Sequence, residues 1–360
     1  MSNALQACTV CASPFELRFG YQILKSGDST SYFCSQNCNT RHLFAAERKT
    51  CCVCSASFDL EFAYQQNAND GLVRYFCTSE CRHKLTTPPP RAGAKATHRI
   101  AVLNQKGGVG KTTTSVNVAA GLAEAGFKTL LVDLDAQGNV AVSLGLKSPR
   151  TVGDLILGTV EASECILNVS PNLDAMISNR TLAHAEVQLI NMKDRHKILA
   201  MRMRNITQYD YVVIDCGPSL SVLNQNALTY AQHILIPVSC DFLALVGVRE
   251  ILQTLKQVNE LLMHPVSILA VVPTLFDSRT RSSVEAIQTL QAYFKDRVLP
   301  PIRVNTRLKE APSMKKSIFE FAPDSHGAED YRVIVKRVIE LCAAEAAKGE
   351  GEVLREQPSA

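Results

Sequence analysis

Two rhythms of apolar residues divide this chain. Near the start, apolar positions alternate with polar ones: Phe15, Leu17, Phe19 and Tyr21, then Phe58, Leu60, Phe62 and Tyr64. A period of two predicts strands with one buried face. From residue 99 onward the pattern changes to continuous apolar runs that end in glycine or aspartate. "RIAVLNQ" (99–105), "TLLVDLDAQGN" (129–139) and "YDYVVIDCGPSL" (209–220) each read as a strand buried on both faces, as in a parallel sheet. Alanine-rich helix formers follow the first of them, in "KTTTSVNVAAGLAEAGF". "VGVREILQTLKQVNELL" carries Val248, Ile251, Leu252, Leu255, Val258 and Leu262 at helical spacing and is expected to pack on the sheet. The expected fold is α/β, with a mostly parallel sheet flanked by helices and preceded by a smaller module.

That smaller module is built twice. Cys8, Cys11, Cys34 and Cys38 recur as Cys51, Cys54, Cys77 and Cys81, each 43 residues on. "CTVCASPFELRFGY" matches "CCVCSASFDLEFAY", and "YFCSQNC" matches "YFCTSEC". On a helix, the i, i+4 spacing of each second pair would turn both thiolates to one side. CxxC with CxxxC suits one tetrahedral four-cysteine zinc site per copy, so two Zn2+ per chain. About 40 residues cannot bury enough surface to be stable alone, whereas a structural zinc supplies roughly 10–16 kcal/mol in small finger peptides. The repeat also rejects rival ligands. His42 corresponds to Leu85, His83 to Thr40 and Cys52 to Thr9, so none of them recurs. The pattern resembles the TRASH and MYM-type treble-clef-like zinc fingers, with "YFCS..C" after an upstream CxxC. That resemblance implies a docking or metal-handling module.

Composition narrows the class. With 46% hydrophobic and 20% charged residues, 360 residues can bury a sizeable core. No apolar run reaches about 18 residues, so no transmembrane helix is expected. "MSNALQACTVC" lacks the features of a secretory signal, which points to a cytoplasmic location with reduced thiols. There, thirteen cysteines suggest metal before disulfides. Cys165, Cys216, Cys240 and Cys342 have no partner pattern and read as small core or surface residues. A net charge of +4 is too mild to imply nucleic acid by itself. "TTPPPRAGAKAT" (86–97) reads as a semi-rigid linker. The expected domains are fingers at 1–48 and 49–86, a linker at 87–97, a large α/β domain at 98–343 and a disordered tail at 344–360.

"NQKGGVGKTTTS" (104–115) lies between an expected strand and an expected helix, the context a phosphate loop requires. Gly107, Gly108 and Gly110 let backbone N–H groups close on phosphate oxygens at the positive end of the helix. Lys111 would neutralise the β- and γ-phosphates, and Thr112 would give its hydroxyl to Mg2+. Asp133, Asp135 and Asp215 stand at strand tips, where an aspartate is costly without a role near metal or solvent. Lys106 is a second lysine on the same loop, five residues before Lys111.

"KGGVGKTTT", "LLVDLDAQGN", "VVIDCGPSL", "ILIPVSCDFLALVGV", "TLFDSRTRSSVEAI" and "VNTRLKEAPSMKKSIFEF" closely resemble the ParA/Soj partition ATPases of the deviant Walker A class. The resemblance runs from about residue 98 to 342. It implies a P-loop NTPase that hydrolyses ATP and forms a face-to-face dimer around two ATP molecules. In that dimer Lys106 would reach the partner's nucleotide. It also places Lys106, Gly107, Gly108, Val109, Gly110, Lys111, Thr112 and Thr113 around ATP. Asp135 would orient the attacking water, Thr112, Asp133 and Asp215 would surround Mg2+, and Gly107 must stay small for the interface to close. Ala136 and Gly217 depart from the usual "DPQGN" and "CPPSL", which bears on turnover. Arg279 and Arg307 match nonspecific DNA-binding positions. Arg281 and Arg303 lie near them, and Lys315 and Lys316 follow. A ParB-like stimulating protein and a nucleoid location are implied. The acidic, glycine-interrupted C-terminus argues against a membrane anchor. An ATP-gated metal or iron–sulfur delivery protein and a zinc-finger DNA-binding regulator are the competing functions.

Overall fold

The structure, a computed structural model, describes residues 5–17, 19, 22–26, 29–35, 38–39, 48–59, 66–69, 72–78, 81, 97–219, 221–241, 253, 256 and 266–355. It divides into two compact units, Met1–Ala94 and Lys95–Ala360.

The first unit repeats one plan. β1 (Gln6–Ala7) pairs antiparallel with β2 (Pro14–Phe15), and β3 (Ile23–Ser26) with β4 (Ser29–Tyr32). In the second copy β5 (Arg48–Thr50) pairs with β6 (Ser57–Asp59), and β7 (Gln66–Asn69) with β8 (Leu72–Tyr75). Matching hydrogen bonds recur: Thr9 N–H donates to the Tyr32 carbonyl at 2.8 Å and Cys52 N–H to the Tyr75 carbonyl at 2.9 Å. Ala12 and Ser55 both take a left-handed conformation in the turn that follows each CxxC. Phe33 and Phe76 are fully buried. Among the described residues of Phe15–Tyr21, the expected long strand does not continue past Phe15. β2 spans two residues and Phe19 is exposed, because the small core gathers around Phe33, Cys8 and Cys38 instead. Its counterpart over 60–64, the histidines His42 and His83, and most of the linker lie outside the described residues.

The second unit is a seven-stranded sheet ordered β11-β12-β10-β13-β9-β14-β15. Its strands are β9 (His98–Val102), β10 (Thr129–Leu134), β11 (Leu167–Ser170), β12 (Leu173–Met176), β13 (Tyr211–Cys216), β14 (His233–Ser239) and β15 (Ser267–Thr274). All pairs are parallel except β11 with β12. β10 and β13 are buried at every position, as continuous apolar runs require when helices cover both faces. The helices are α1 (Lys111–Glu124), α2 (Asn139–Leu144), α3 (Val152–Leu157), α4 (Arg180–Leu189), α5 (Ile198–Arg202), α6 (Val222–Tyr230), α7 (Arg281–Phe294), α8 (Thr306–Glu310), α9 (Ile318–Phe321) and α10 (His326–Arg355). Apolar residues of α3 to α7 fill one side of the sheet, and those of α1, α9 and α10 the other.

One expectation changes here. Residues 344–355, expected to be tail, continue α10 as helix. Alanine and glutamate in "CAAEAAKGEGEVLR" favour helix strongly enough to carry it through Gly349 and Gly351. The helix expected over 248–262 lies outside the described residues apart from Gln253 and Lys256.

Candidate functional site: a phosphate loop, two cysteine clusters and an arginine face

Three adjacent central strands, β10, β13 and β9, point their C-terminal ends at one place. In an open α/β sheet ligands bind at such an edge. The loop after β9 passes residues 104–110 and enters α1 at Lys111. Gly108 (φ 75°) and Gly110 (φ 82°) are left-handed, a conformation that a residue with Cβ adopts only under strain. The loop is fastened from below. Asn104 Nδ2 donates to the Pro237 carbonyl at 2.7 Å and Asn104 Oδ1 accepts from Lys106 N–H at 2.9 Å. Thr274 Oγ1 donates to the Val109 carbonyl at 2.9 Å, and Val109 is buried. Above the loop there is room. A Cβ built on Gly107, Gly108 or Gly110 would meet nothing within 4 Å. The loop therefore offers an open cradle of backbone N–H groups at a helix N-terminus, which fits a phosphate.

The charged groups crowd this cradle. Lys111 Nζ donates to the Lys106 carbonyl at 3.0 Å, and burial lowers its pKa against the opposing pull of Asp215 and Asp135. Thr112 Oγ1 and Ser115 Oγ each donate to Asp215 at 2.7 Å. Burial raises the Asp215 carboxyl to about 6, although these two hydroxyls pull it down. A carboxylate held beside a P-loop threonine hydroxyl is a donor set suited to Mg2+. Thr113 sits in the first turn of α1, its carbonyl accepting from Asn117 Nδ2 at 2.8 Å.

Asp133 and Asp215 are register partners across β10 and β13. Asp133 is fully buried, and burial, followed by the Asp215 charge, raises its pKa strongly. One oxygen accepts from Asp135 N–H at 3.0 Å and the other from Val140 N–H at 3.3 Å. It braces the 135–140 turn from below, beside Asp215 on the neighbouring strand. Asp135 is partly exposed, and its carbonyl accepts from Ser178 Oγ at 2.5 Å. A Cβ on Gly217 would come to 3.6 Å from Asp135 Oδ1, ordinary contact, so this departure from the family pattern leaves Asp135 slightly more room.

Lys106 is anchored within its own chain. Its Nζ lies 2.7 and 2.8 Å from the carboxylate oxygens of Asp241 and 3.3 Å from Ser239 Oγ. Ser239 ends β14 and donates to Asp241 at 2.8 Å. Sequence reasoning missed Asp241, Ser115 and Ser178. Asp241 follows the C-terminal end of a strand beside β9, so the strand-tip rule that found Asp215 would have found it as well.

In the first unit the Sγ atoms of Cys8, Cys11, Cys34 and Cys38 lie within 4.8 Å of one another, as do those of Cys51, Cys54, Cys77 and Cys81. Cys11–Cys34 and Cys54–Cys77 are 3.4 and 3.3 Å apart, and Cys34–Cys38 and Cys77–Cys81 are 3.6 Å apart. Tetrahedral Zn–S bonds of about 2.3 Å require S···S of about 3.8 Å, so both clusters fit zinc. Cys38 N–H donates to Ser35 Oγ and Cys81 N–H to Thr78 Oγ1, so only the last cysteine of each set enters a helical turn. Burial raises Cys8 and Cys51, but backbone N–H donors bring both down to about 6. Hydrogen bonding from Cys11 and Cys54 lifts Cys34 and Cys77 to about 12. Four sulfurs this close cannot all ionise without a cation among them. Cys52 is exposed, while Cys165, Cys216, Cys240 and Cys342 are each buried in the second unit.

The expected DNA-contacting arginines are exposed or partly so, but each faces acid. Arg279 pairs with Asp277 at 2.7 Å, Arg281 with Glu285 at 2.6 Å and Arg307 with Glu310 at 3.0 Å. Arg303 pairs with Asp330 at 2.6 Å and Glu329 at 2.7 Å. Lys315 and Lys316 are exposed.

A parallel sheet with this loop, these strand-tip aspartates and a lysine at the end of the glycine turn defines a P-loop nucleotide hydrolase. The model of an AAA domain family matches residues 97–268. The sporulation initiation inhibitor protein Soj of Bacillus subtilis is 40% identical over 245 residues, 66% of this chain and 97% of that protein. The chromosome-partitioning ATPase Soj of Thermus thermophilus is 39% identical, covering 67% and 95%. A crystal structure described as cobyrinic acid a,c-diamide synthase from Mycobacterium smegmatis, with bound ATP analog and magnesium, superposes with a TM-score of 0.58 at 34% identity, covering 67% and 93%. McdA of Cyanothece shares the fold, with a TM-score of 0.61 at 23% identity, covering 69% and 100%. The chain belongs to the Soj/ParA family of partition ATPases and is an ATP hydrolase. None of its described helices is long and apolar enough to cross a membrane.

Proposed function

We propose that this chain is an ATP-gated partition protein: it dimerises on ATP, binds DNA without sequence preference as the dimer, and positions a cargo while a partner stimulates hydrolysis. The observation that carries this reading is Lys106, a second cation on a glycine turn whose phosphate cradle Lys111 already serves. Its ammonium is tethered by a partly exposed ion pair to Asp241 and is free to exchange partners. Lys111 would contact the β- and γ-phosphates of its own ATP, and Lys106 those of the partner's. Both lysines reach full use only in the dimer, which makes ATP the condition for association.

Thr112 and Asp215 would hold Mg2+, which supplies charge neutralisation at the phosphates. Asp135, on the turn braced by Asp133 and Ser178, would orient the attacking water. Little covalent chemistry falls to the protein, so positioning and charge set the rate. The cysteine clusters would hold two structural zinc ions, and the fingers would dock a protein partner. A cytoplasmic, nucleoid-associated location goes with this reading.

Asp135→Ala is expected to keep ATP and DNA binding and to remain on DNA with ATP. Failure of that variant to bind nonspecific duplex at low salt with ATP sinks the DNA reading. Lys106→Ala is expected to keep ATP and lose the ATP-dependent dimer, and an unchanged dimer by light scattering sinks the bridging role.

A further inference from the structure

Among the described residues, one group of cations without carboxylate partners lies away from the arginine face. Residues 193–204, "KDRHKILAMRMR", hold Lys193, Arg195, Lys197, Arg202 and Arg204 against a single acid, Asp194. Lys193, Arg195, Lys197 and Arg204 are exposed. None of the five forms an ion pair among the described residues. Five cations less one acid give this segment a net +4, equal to the net charge of the whole chain.

The segment is rigidly presented. Asn226 of α6 donates Nδ2 to the Arg195 carbonyl at 2.7 Å and accepts Leu199 N–H at 2.9 Å. Arg195 Nη1 donates to the Ile190 carbonyl at 3.0 Å, closing the turn after α4. Ile198, Leu199 and Met203 bury one side of α5. Lys197 just before the helix, Met201 on it and Arg204 in the turn after it are all exposed. Arg202 lies over Gly158, where an added Cβ would strike its guanidinium. Burial lowers the pKa of His196, with Lys197 as the next cause, as expected in a positive field. This segment packs on α6 and α3, whereas Arg281 begins α7, which packs on β15.

We infer that Lys193, Lys197 and Arg204, with Arg195 beside them, form a binding surface for the phosphodiester backbone of duplex DNA, separate from the arginine face. The inference rests on the proposed DNA binding and relocates much of it. Counterion release rewards cations that are not already neutralised. Arg279, Arg281, Arg303 and Arg307 must each give up an acid before gaining a phosphate, and these cations need not. Exposed Ile190, Met192 and Met201 nearby also allow an acidic, partly apolar protein segment, which the test separates.

The test compares three full-length proteins with Mg·ATP on a nonspecific duplex across a salt series: wild type, Lys193→Gln/Lys197→Gln/Arg204→Gln, and Arg279→Gln/Arg307→Gln. Thermal melting of each variant serves as the folding control, and all five positions are exposed. The triple variant is expected to flatten the slope of log K against log salt by about 0.9 for each phosphate no longer neutralised, so by about 2.7. A slope equal to that of wild type in the triple variant, with the loss confined to the arginine variant, overturns the inference and leaves the function standing. A triple variant that keeps the wild-type slope on duplex but no longer binds polyglutamate of equal charge also overturns it and makes this a protein-docking face. Wild type that binds no duplex at low salt removes both readings.

Discussion

Lys106 Nζ sits 2.7 Å from the carboxylate of Asp241, so the loop lysine expected to act in a neighbour is neutralised at home. Both side chains are partly exposed, 31% and 47%, and such a pair contributes up to about 1 kcal/mol. Asp241→Asn is therefore expected to raise the ATP-dependent dimer constant, by up to about fivefold per protomer. Sedimentation velocity over an ATP titration checks it, and an unchanged or weaker dimer argues against the ion pair as a brake.

Asp135→Ala removes a partly exposed carboxylate that accepts from Gln137 N–H at 3.0 Å, on a turn that Asp133, Ser178 and Gly138 also hold. Turnover of ATP is expected to fall by about two to four orders of magnitude, typical of losing a group that positions or deprotonates a nucleophile. Nucleotide affinity should stay within a few-fold. Phosphate release and fluorescent-nucleotide binding, measured together, separate the two effects. Equal losses in both would make Asp135 a binding residue.

Asp215 titrates high because it is buried, at about 6 against 3.8 in the unfolded chain. A raised carboxyl favours the protonated folded state, so its contribution to stability shrinks as pH climbs from about 4 to about 6 and then levels off. Asp215→Asn lacks that slope. Thermal melting of nucleotide-free protein without Mg2+ should show wild type losing ground to the variant between pH 4 and 6, with a constant difference above. A difference that stays flat across pH 4 to 6 would contradict the burial argument.

Cys34→Ser removes one of four sulfurs in the first cluster and leaves the second intact. Zinc content is expected to drop from about two to about one per chain, with ATP turnover preserved, because the clusters and the nucleotide site belong to different compact units. Elemental analysis reads the first outcome. Iron in place of zinc would revive the iron–sulfur alternative.

Gly153 marks a close approach of α3 to the start of α4: an added Cβ would lie 2.7 Å from Leu182 N and 2.9 Å from Thr181 C. Backbone cannot swing aside as a long side chain can. Gly153→Ala is expected to destabilise the second unit by about 1–3 kcal/mol through overpacking. Denaturant unfolding tests it, and a loss under about 0.5 kcal/mol would mean the two helices separate easily.

Much of the architecture was legible in the residues. Buried runs before Lys106, around Asp133 and before Asp215 became β9, β10 and β13, because a strand covered on both faces needs no alternation. The finger strands were overread: Phe15 to Tyr21 alternates, yet the fold around Phe33 uses only two residues of it. The tail was underread, since Gly349 and Gly351 interrupt a pattern without stopping α10. Asp133 was read as a metal neighbour from its strand tip, and its full burial under two backbone N–H donors emerged only from the turn above it.

Local spacing settled the glycine cradle and each CxxC and CxxxC half-site, since groups a few residues apart meet whatever the rest of the chain does; the two halves of a cluster, 23 residues apart, were joined by the fold. Partnership across elements was left to tertiary structure. Lys106 and Asp241 are 135 residues apart, and Thr112 and Asp215 are 103. The acids that silence Arg279 and Arg307 are only two and three residues away, yet side-chain direction, not sequence distance, decided that they pair. Charge that is free and charge that is spent look alike in a sequence, because Coulomb energy depends on where each side chain comes to rest.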